Sequence, residues 1–209
     1  MSAHDQEIDS LLTLAAGGDL AACQQLLALH RDRLRRMVAV RLDPRVAARL
    51  DPSDVVQEAL LEAARKLPNY LRERPVPFYP WLRRLAWEHL LKLHQRHLAK
   101  KRNVARDEPI APALSDRSAL ELAQCLVASG TSPSGRVVRE ETRDRVRAAL
   151  GALAEVDREV LMLRYLEGMT TAEVAAVLGL GESAVKMRHR RALDRLCRVL
   201  GDDSAGGQP

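Results

Sequence analysis

Aromatic residues are nearly missing from this chain: one Phe, three Tyr and two Trp in 209 residues, or 3%. That scarcity excludes a core built mainly on rings and makes any local gathering of rings informative. Cysteine is scarce too. Cys23, Cys125 and Cys197 are far apart and form no C-x-x-C pair, so neither a disulfide framework nor a thiolate metal cluster is expected, only thiols of a reducing compartment. No apolar run approaches the roughly 20 residues of a bilayer span. The opening "MSAHDQEIDS" lacks the basic and apolar parts of a signal peptide, and a cytoplasmic protein with no membrane segment is expected. Sustained alternation of apolar and polar residues is also lacking, with few β-branched positions, so the fold reads as all-α.

Charge, by contrast, is plentiful. Lys and Arg number 33 against 28 Asp and Glu, a formal charge of +5 and a sequence pI near 9.4, which suits a polyanionic partner. The length fits two small helical domains, and composition shifts mark their limits. A first domain is expected over residues 1–107, a linker over 108–140 carrying "DEPIAPALSD" and "SGTSPSG" with a short helix around Ala119 to Ala128, a second domain over 141–200, and a disordered tail over 201–209.

Within the first domain, a short helix is expected over Gln6 to Ala16, ending at Gly17-Gly18, then a longer one from the N-cap Asp19 through Leu42. Asp51, Pro52 and Asp54 are a strong start signal for a third helix, which Pro68 should end. "LRERPVPFYP", with prolines at 75, 77 and 80, predicts a stiff loop before a basic helix running to about Arg102. Asp54, Glu58 and Glu62 recur every four residues beside Gln57, one acidic stripe on the helix from Pro52. From Arg83 to Arg106 there are eight bases (Arg83, Arg84, Lys92, Arg96, Lys100, Lys101, Arg102, Arg106) and one acid, Glu88. Five of the six aromatics (Tyr70, Phe78, Tyr79, Trp81, Trp87) gather at the start of this basic helix. Flat apolar surfaces that stack unpaired bases, beside cations that hold a phosphate backbone, are what single-strand capture needs. Trp81 reads instead as core, with Leu82, Leu85, His89 and Leu93.

The sharpest local pattern is "TTAEVAAVLGLGESAVKMRHRRALDRL". Thr170 and Glu173 form a capping box, Val174, Val177 and Leu178 a buried edge, and Gly179 a left-handed C-cap before a second helix. This is helix-turn-helix spacing. At about 100° per residue, Val185, His189, Ala192, Leu196 and Leu200 share a core face. Ser183, Met187, Arg190 and Arg191 lie opposite, flanked by Lys186, with Arg188 adding to the basic count. Such a face fits a major groove, where Arg pairs with guanine and other cations hold phosphates.

These stretches resemble bacterial RNA polymerase sigma factors of the extracytoplasmic-function (ECF) group. "DPSDVVQEALLEAARKL" is similar to the region that grips the clamp helices of the beta-prime subunit. "FYPWLRRLAWEHLLKLHQRH" resembles the region that melts and captures the minus-ten element. "LAEVDREVLMLRYLEGMTTAEVAAVLGLGESAVKMRHRRALDRL" resembles the domain that reads the minus-thirty-five element. The resemblance implies an alternative sigma factor, a non-enzyme with no cofactor and no catalytic or metal residues. It implies core RNA polymerase (beta-prime clamp helices and beta) and promoter DNA as partners, and an anti-sigma factor as a regulator common in the group. Asp54, Gln57, Glu58 and Glu62 would bind the polymerase. Arg72, Arg74, Phe78, Tyr79, Arg84, Trp87, Glu88, Lys92 and Arg96 would serve the minus-ten element, with Leu71 to Pro77 forming the pocket for a flipped base. Ser183, Lys186, Met187, Arg188, Arg190 and Arg191 would serve the minus-thirty-five element. Glu88, Lys92 and Gly181 depart from the Asn, Asp and Ser frequent in the family, so the promoter sequence does not follow.

Two other readings use parts of the same pattern. A conventional regulator binding duplex DNA without polymerase explains the helix-turn-helix but neither the acidic stripe nor the aromatic loop. A metal enzyme is suggested by His89, His94 and His97, but no carboxylate or thiol has a matching spacing.

Overall fold

The computed structural model describes residues 3–42, 50–99, 116–128 and 145–201. They are helical, with no strand among the described residues, so the all-α expectation holds. They fall into two compact units, one within Met1–Ala111 and one within Pro112–Pro209.

The first unit begins with α1 (Ala3–Ala16), whose C-terminal turn closes at Gly18 in the left-handed region (φ 91°). Asp19 caps α2 (Leu20–Leu29), its carboxylate accepting from the amides of Ala21 and Ala22 at 2.8 and 3.1 Å. The single helix expected through Leu42 is two, because the chain breaks at His30 and restarts as α3 (Arg31–Arg41). No glycine or proline announces this break. The His30 amide donates to Leu27 O at 3.3 Å, tightening the last turn. The buried imidazole lies 5.4 and 5.6 Å from the rings of Phe78 and Tyr79. Packing of one side chain thus overrides continuous helix propensity.

Next come α4 (Pro52–Glu73) and α5 (Phe78–Ala99), a closely packed pair joined by a short loop. Asp51 caps α4 by accepting from the Ser53 amide at 2.8 Å. Pro68 does not end α4, contrary to the sequence expectation. It removes one hydrogen bond and crowds the preceding turn, which costs about 3 kcal/mol. Leu67 and Tyr70, both buried, anchor the helix on either side, and burial of two such side chains, at about 1.5–3 kcal/mol each, offsets that cost. The helix stops one turn past Tyr70, at Arg74, which takes the left-handed conformation (φ 39°). Pro80 does not break a helix either: it is in the first turn of α5, where an amide has no intrahelical acceptor to lose. Leu26, Leu34, Met37, Val56, Ala59, Ala63, Leu82, Ala86 and Leu90 are fully buried and form the core.

The second unit opens with α6 (Asp116–Ala128). This helix falls in the stretch expected to link the domains, yet its Ala119 and Leu122 are buried and it packs against the π-helical turn Met162–Leu166 of this unit. Residues 145–151 (α7) supply buried Val146, Ala149 and Leu150. Then follow α8 (Glu155–Leu161), which runs into the π turn, α9 (Thr171–Leu178) and α10 (Glu182–Gly201). The rest of the expected linker, Lys100, Lys101, Arg102 and Arg106, the side chains of His97 and Leu200, and tail residues 202–209 lie outside the described residues. No helix among the described residues is long and apolar enough to cross a membrane.

Candidate protein and nucleic-acid interfaces

The helical periodicity of α4 divides it cleanly. Val55, Val56, Ala59, Ala63, Leu67 and Tyr70 are buried, which turns Asp54, Gln57 and Glu58 to solvent. Leu61 belongs to the same face and is 50% exposed. It follows Gln57 by four positions and Glu58 by three, so the outward face is acidic with one apolar centre. Sequence reading missed Leu61, although its helical spacing placed it there. Glu62 behaves differently from the other acids. Its carboxylate is engaged by Lys66 and by His89 of α5, and the hydrogen bond from Lys66, followed by that from His89, holds its pKa below the usual range. Glu62 therefore ties α4 to α5, and His89, expected in the core with Trp81, is its partner.

The aromatic cluster is largely turned inward. Tyr70 stacks on Trp81 with ring centroids 4.5 Å apart, and Phe78 lies 5.4 and 5.6 Å from these two rings. The Tyr70 hydroxyl donates to Val76 O at 2.9 Å, bracing the proline loop, and burial pushes its pKa up to about 12. Tyr79 is buried beneath the Arg33 guanidinium, 3.6 Å from its centroid. Phe78 and Tyr79, expected at a nucleic-acid surface, are thus core residues in this conformation. Trp81 was expected in the core and is there. Trp87 is half-buried, with the guanidiniums of Arg41 and Arg83 5.7 and 5.8 Å from its ring. Arg83, counted in the basic row, is itself buried.

On the outside of α5, Arg84, Lys92 and Arg96 are exposed and Glu88 is half-exposed. Arg72 and Arg74 are exposed at the end of α4. Arg72 pairs with Asn69, and Arg74 donates to Leu12 O of α1 at 3.2 Å. Leu71 to Glu73 are helical, which shortens the expected pocket loop to Arg74 to Pro77.

The second unit has the two-helix geometry that its sequence announces. Thr170 and Glu173 satisfy each other's amides at 3.2 and 2.8 Å, and Gly179 closes α9 at φ 64°. Val174 is buried, whereas Val177 and Leu178 are half-exposed. On α10, Val185, Ala192 and Leu196 are buried, and Ser183, Lys186, Met187, Arg190 and Arg191 are exposed together. A face of this kind presents donors, cations and one thioether to a polyanion.

Two adjacent residues pin α10 to the rest of its unit. Arg188 forms an ion pair with Asp157 of α8 at 2.8 Å. His189 stacks on Tyr165, centroids 5.7 Å apart, with its Nε2 3.2 Å from the hydroxyl. Burial, then the charge of Arg164, lowers the His189 pKa. Asp157 and Tyr165 escaped the sequence reading because they lie 31 and 24 positions from their partners, beyond the reach of helical periodicity. Among the described residues no three His, Cys, Asp or Glu side chains converge as a metal site.

Comparison with known proteins follows the same division. Residues 26–102 match the family model "Sigma-70 region 2" and residues 143–196 match "Sigma-70, region 4". RNA polymerase sigma factor CnrH of Cupriavidus metallidurans is 32% identical over 96% of this chain and 98% of its own length. ECF RNA polymerase sigma factor SigD of Mycobacterium tuberculosis is 28% identical over 94% of this chain and 85% of its own. The solved structure of CnrH in complex with the cytosolic domain of CnrY has a TM-score of 0.52 at 26% identity, covering 94% of this chain and 99% of that one. With both regions in order along one chain whose described residues are helical, the protein belongs to the RNA polymerase sigma factors, a family of non-catalytic transcription initiation factors, and within it to the ECF group.

Proposed function

We propose that this sigma factor docks on the beta-prime clamp helices of core RNA polymerase through Asp54, Gln57 and Glu58, with Leu61 as the apolar centre of the contact. Leu61 gains by desolvation, and the charged residues around it form the rim that excludes water from the contact. Glu62, occupied by Lys66 and His89, supports that surface by fixing α4 against α5. Arg84, Lys92 and Arg96 hold the promoter backbone at the minus-ten segment, with Trp87 and Glu88 beside them and Arg72 and Arg74 at the adjoining loop. Phe78 and Tyr79 set the position of that surface from beneath. The outward face of α10 enters the major groove of the upstream element. Binding at both DNA elements offsets the few kcal/mol of unstacking that strand opening costs, and the polymerase carries out the chemistry. The protein acts in the cytoplasm, and an anti-sigma factor that covers the α4 face would switch it off.

The observation that carries this reading is the exposure, in one chain, of an acidic helical stripe on the first unit and a cationic helical face on the second. Gel-filtration co-elution with core RNA polymerase tests it, with Glu58→Lys alongside. Wild type should co-elute and Glu58→Lys, folded by circular dichroism, should not. Duplex DNA binding with no polymerase binding by either protein would make the chain a conventional regulator.

A further inference from the structure

Six side chains are exposed near the start of α10, Glu182, Ser183, Lys186, Met187, Arg190 and Arg191, and Met187 alone among them has no polar head. It is 48% exposed. Ser183 stands one turn before it and Arg190 and Arg191 one turn after it. The buried side of the helix is Val185, Ala192 and Leu196, so Met187 lies off the core face of its helix. An apolar side chain ringed by cations gains free energy when the polyanion that those cations attract also covers it. Phosphates and the guanine acceptors N7 and O6 satisfy Arg and Lys. The one apolar group on a base edge in the major groove is the thymine 5-methyl.

From this juxtaposition of an exposed thioether with Ser183, Lys186, Arg190 and Arg191 we infer that Met187 is a specificity determinant, reading a thymine of the upstream promoter element through its 5-methyl group. The inference rests on the reading of α10 as the helix that enters the groove. Because thioether and methyl share no hydrogen bond, the preference is a packing preference for thymine over any base or analogue without the methyl. The flanking arginines fix its register.

The test uses holoenzyme reconstituted from the full chain and core RNA polymerase. Random-sequence duplex is first selected for binding to define the upstream element. Each thymine in it is then replaced singly by deoxyuridine, which removes only the methyl group. One replacement should weaken binding about fourfold, as expected for loss of one buried methyl-sized group. Met187→Ser, and Met187→Gln as a second variant, should bind the thymine and deoxyuridine duplexes equally, closing a double-mutant cycle between protein and DNA. The inference is overturned if no thymine of the element is sensitive to loss of its methyl, or if the sensitivity persists in both variants. Those results leave α10 as the reading helix, whereas a selection that enriches no upstream element would overturn that reading itself.

Discussion

Arg188 counts among the basic residues of α10, yet its guanidinium is held by Asp157 rather than presented with Lys186, Arg190 and Arg191. Replacing Asp157 by Ala therefore tests whether the orientation of α10 depends on a brace to α8. The pair is 2.8 Å long, with side chains 35% and 17% exposed for Arg188 and Asp157, placing it between a solvated pair worth at most about 1 kcal/mol and a charge-assisted bond worth about 1.5–3. Loss of about 1–2 kcal/mol from the second unit is expected for either Asp157→Ala or Arg188→Ala, with a coupling near 1 kcal/mol in the double mutant. Both tryptophans are in the first unit, so tryptophan fluorescence follows that unit alone. Hydrogen exchange of the α10 amides reads the second unit directly, and protection there should fall about tenfold. A phosphate contact behaves differently: removing it lowers the salt dependence of promoter binding by about one ion. Arg188→Ala should leave that slope unchanged, and Arg191→Ala should lower it or relax base preference. Unaltered exchange in Asp157→Ala together with a reduced slope in Arg188→Ala would refute the brace.

Three further outcomes follow from the packing. Gly179→Val should destabilise the second unit by about 1–2 kcal/mol through backbone strain alone, because open space surrounds the position, and Gly179→Asn should cost less; thermal melts of the pair check the order. His189 has its folded pKa below the ordinary 6.5, so the unfolded state binds the proton more readily. Stability of the second unit should then fall as pH drops through 6.5 and level off below the folded pKa, and His189→Gln should flatten that dependence in urea titrations. Leu90→Ala, at a fully buried site of α5, should destabilise the first unit by about 2–5 kcal/mol as read by tryptophan fluorescence.

Helix starts and stops were legible wherever a capping group carries the signal. Asp19, Asp51 with Pro52, Thr170 with Glu173, and Gly179 all act as their positions foretell. Local chemistry misled where tertiary packing outweighs it. Pro68 is carried through by the burial of Leu67 and Tyr70, and His30 breaks a helix to meet the rings of α5. The short helix after residue 115 was visible as a helix, but its membership of the second unit depends on contacts that composition does not encode. The same limit applies to the candidate surfaces. The acidic stripe followed from a spacing of four, and the outward face of α10 from a helical wheel. The inward turn of Phe78 and Tyr79 did not follow, because clustering of aromatics is equally the signature of a core. The pairings Glu62–His89 and Asp157–Arg188 join residues too distant in sequence for periodicity to connect.

Transcription in vitro from genomic fragments, with core RNA polymerase alone and with core plus this chain, decides whether the chain directs initiation. If the chain directs initiation, discrete RNA 5′ ends appear only with the chain, share two upstream elements, and vanish with Glu58→Lys. Start sites that do not change on adding the chain would contradict that role.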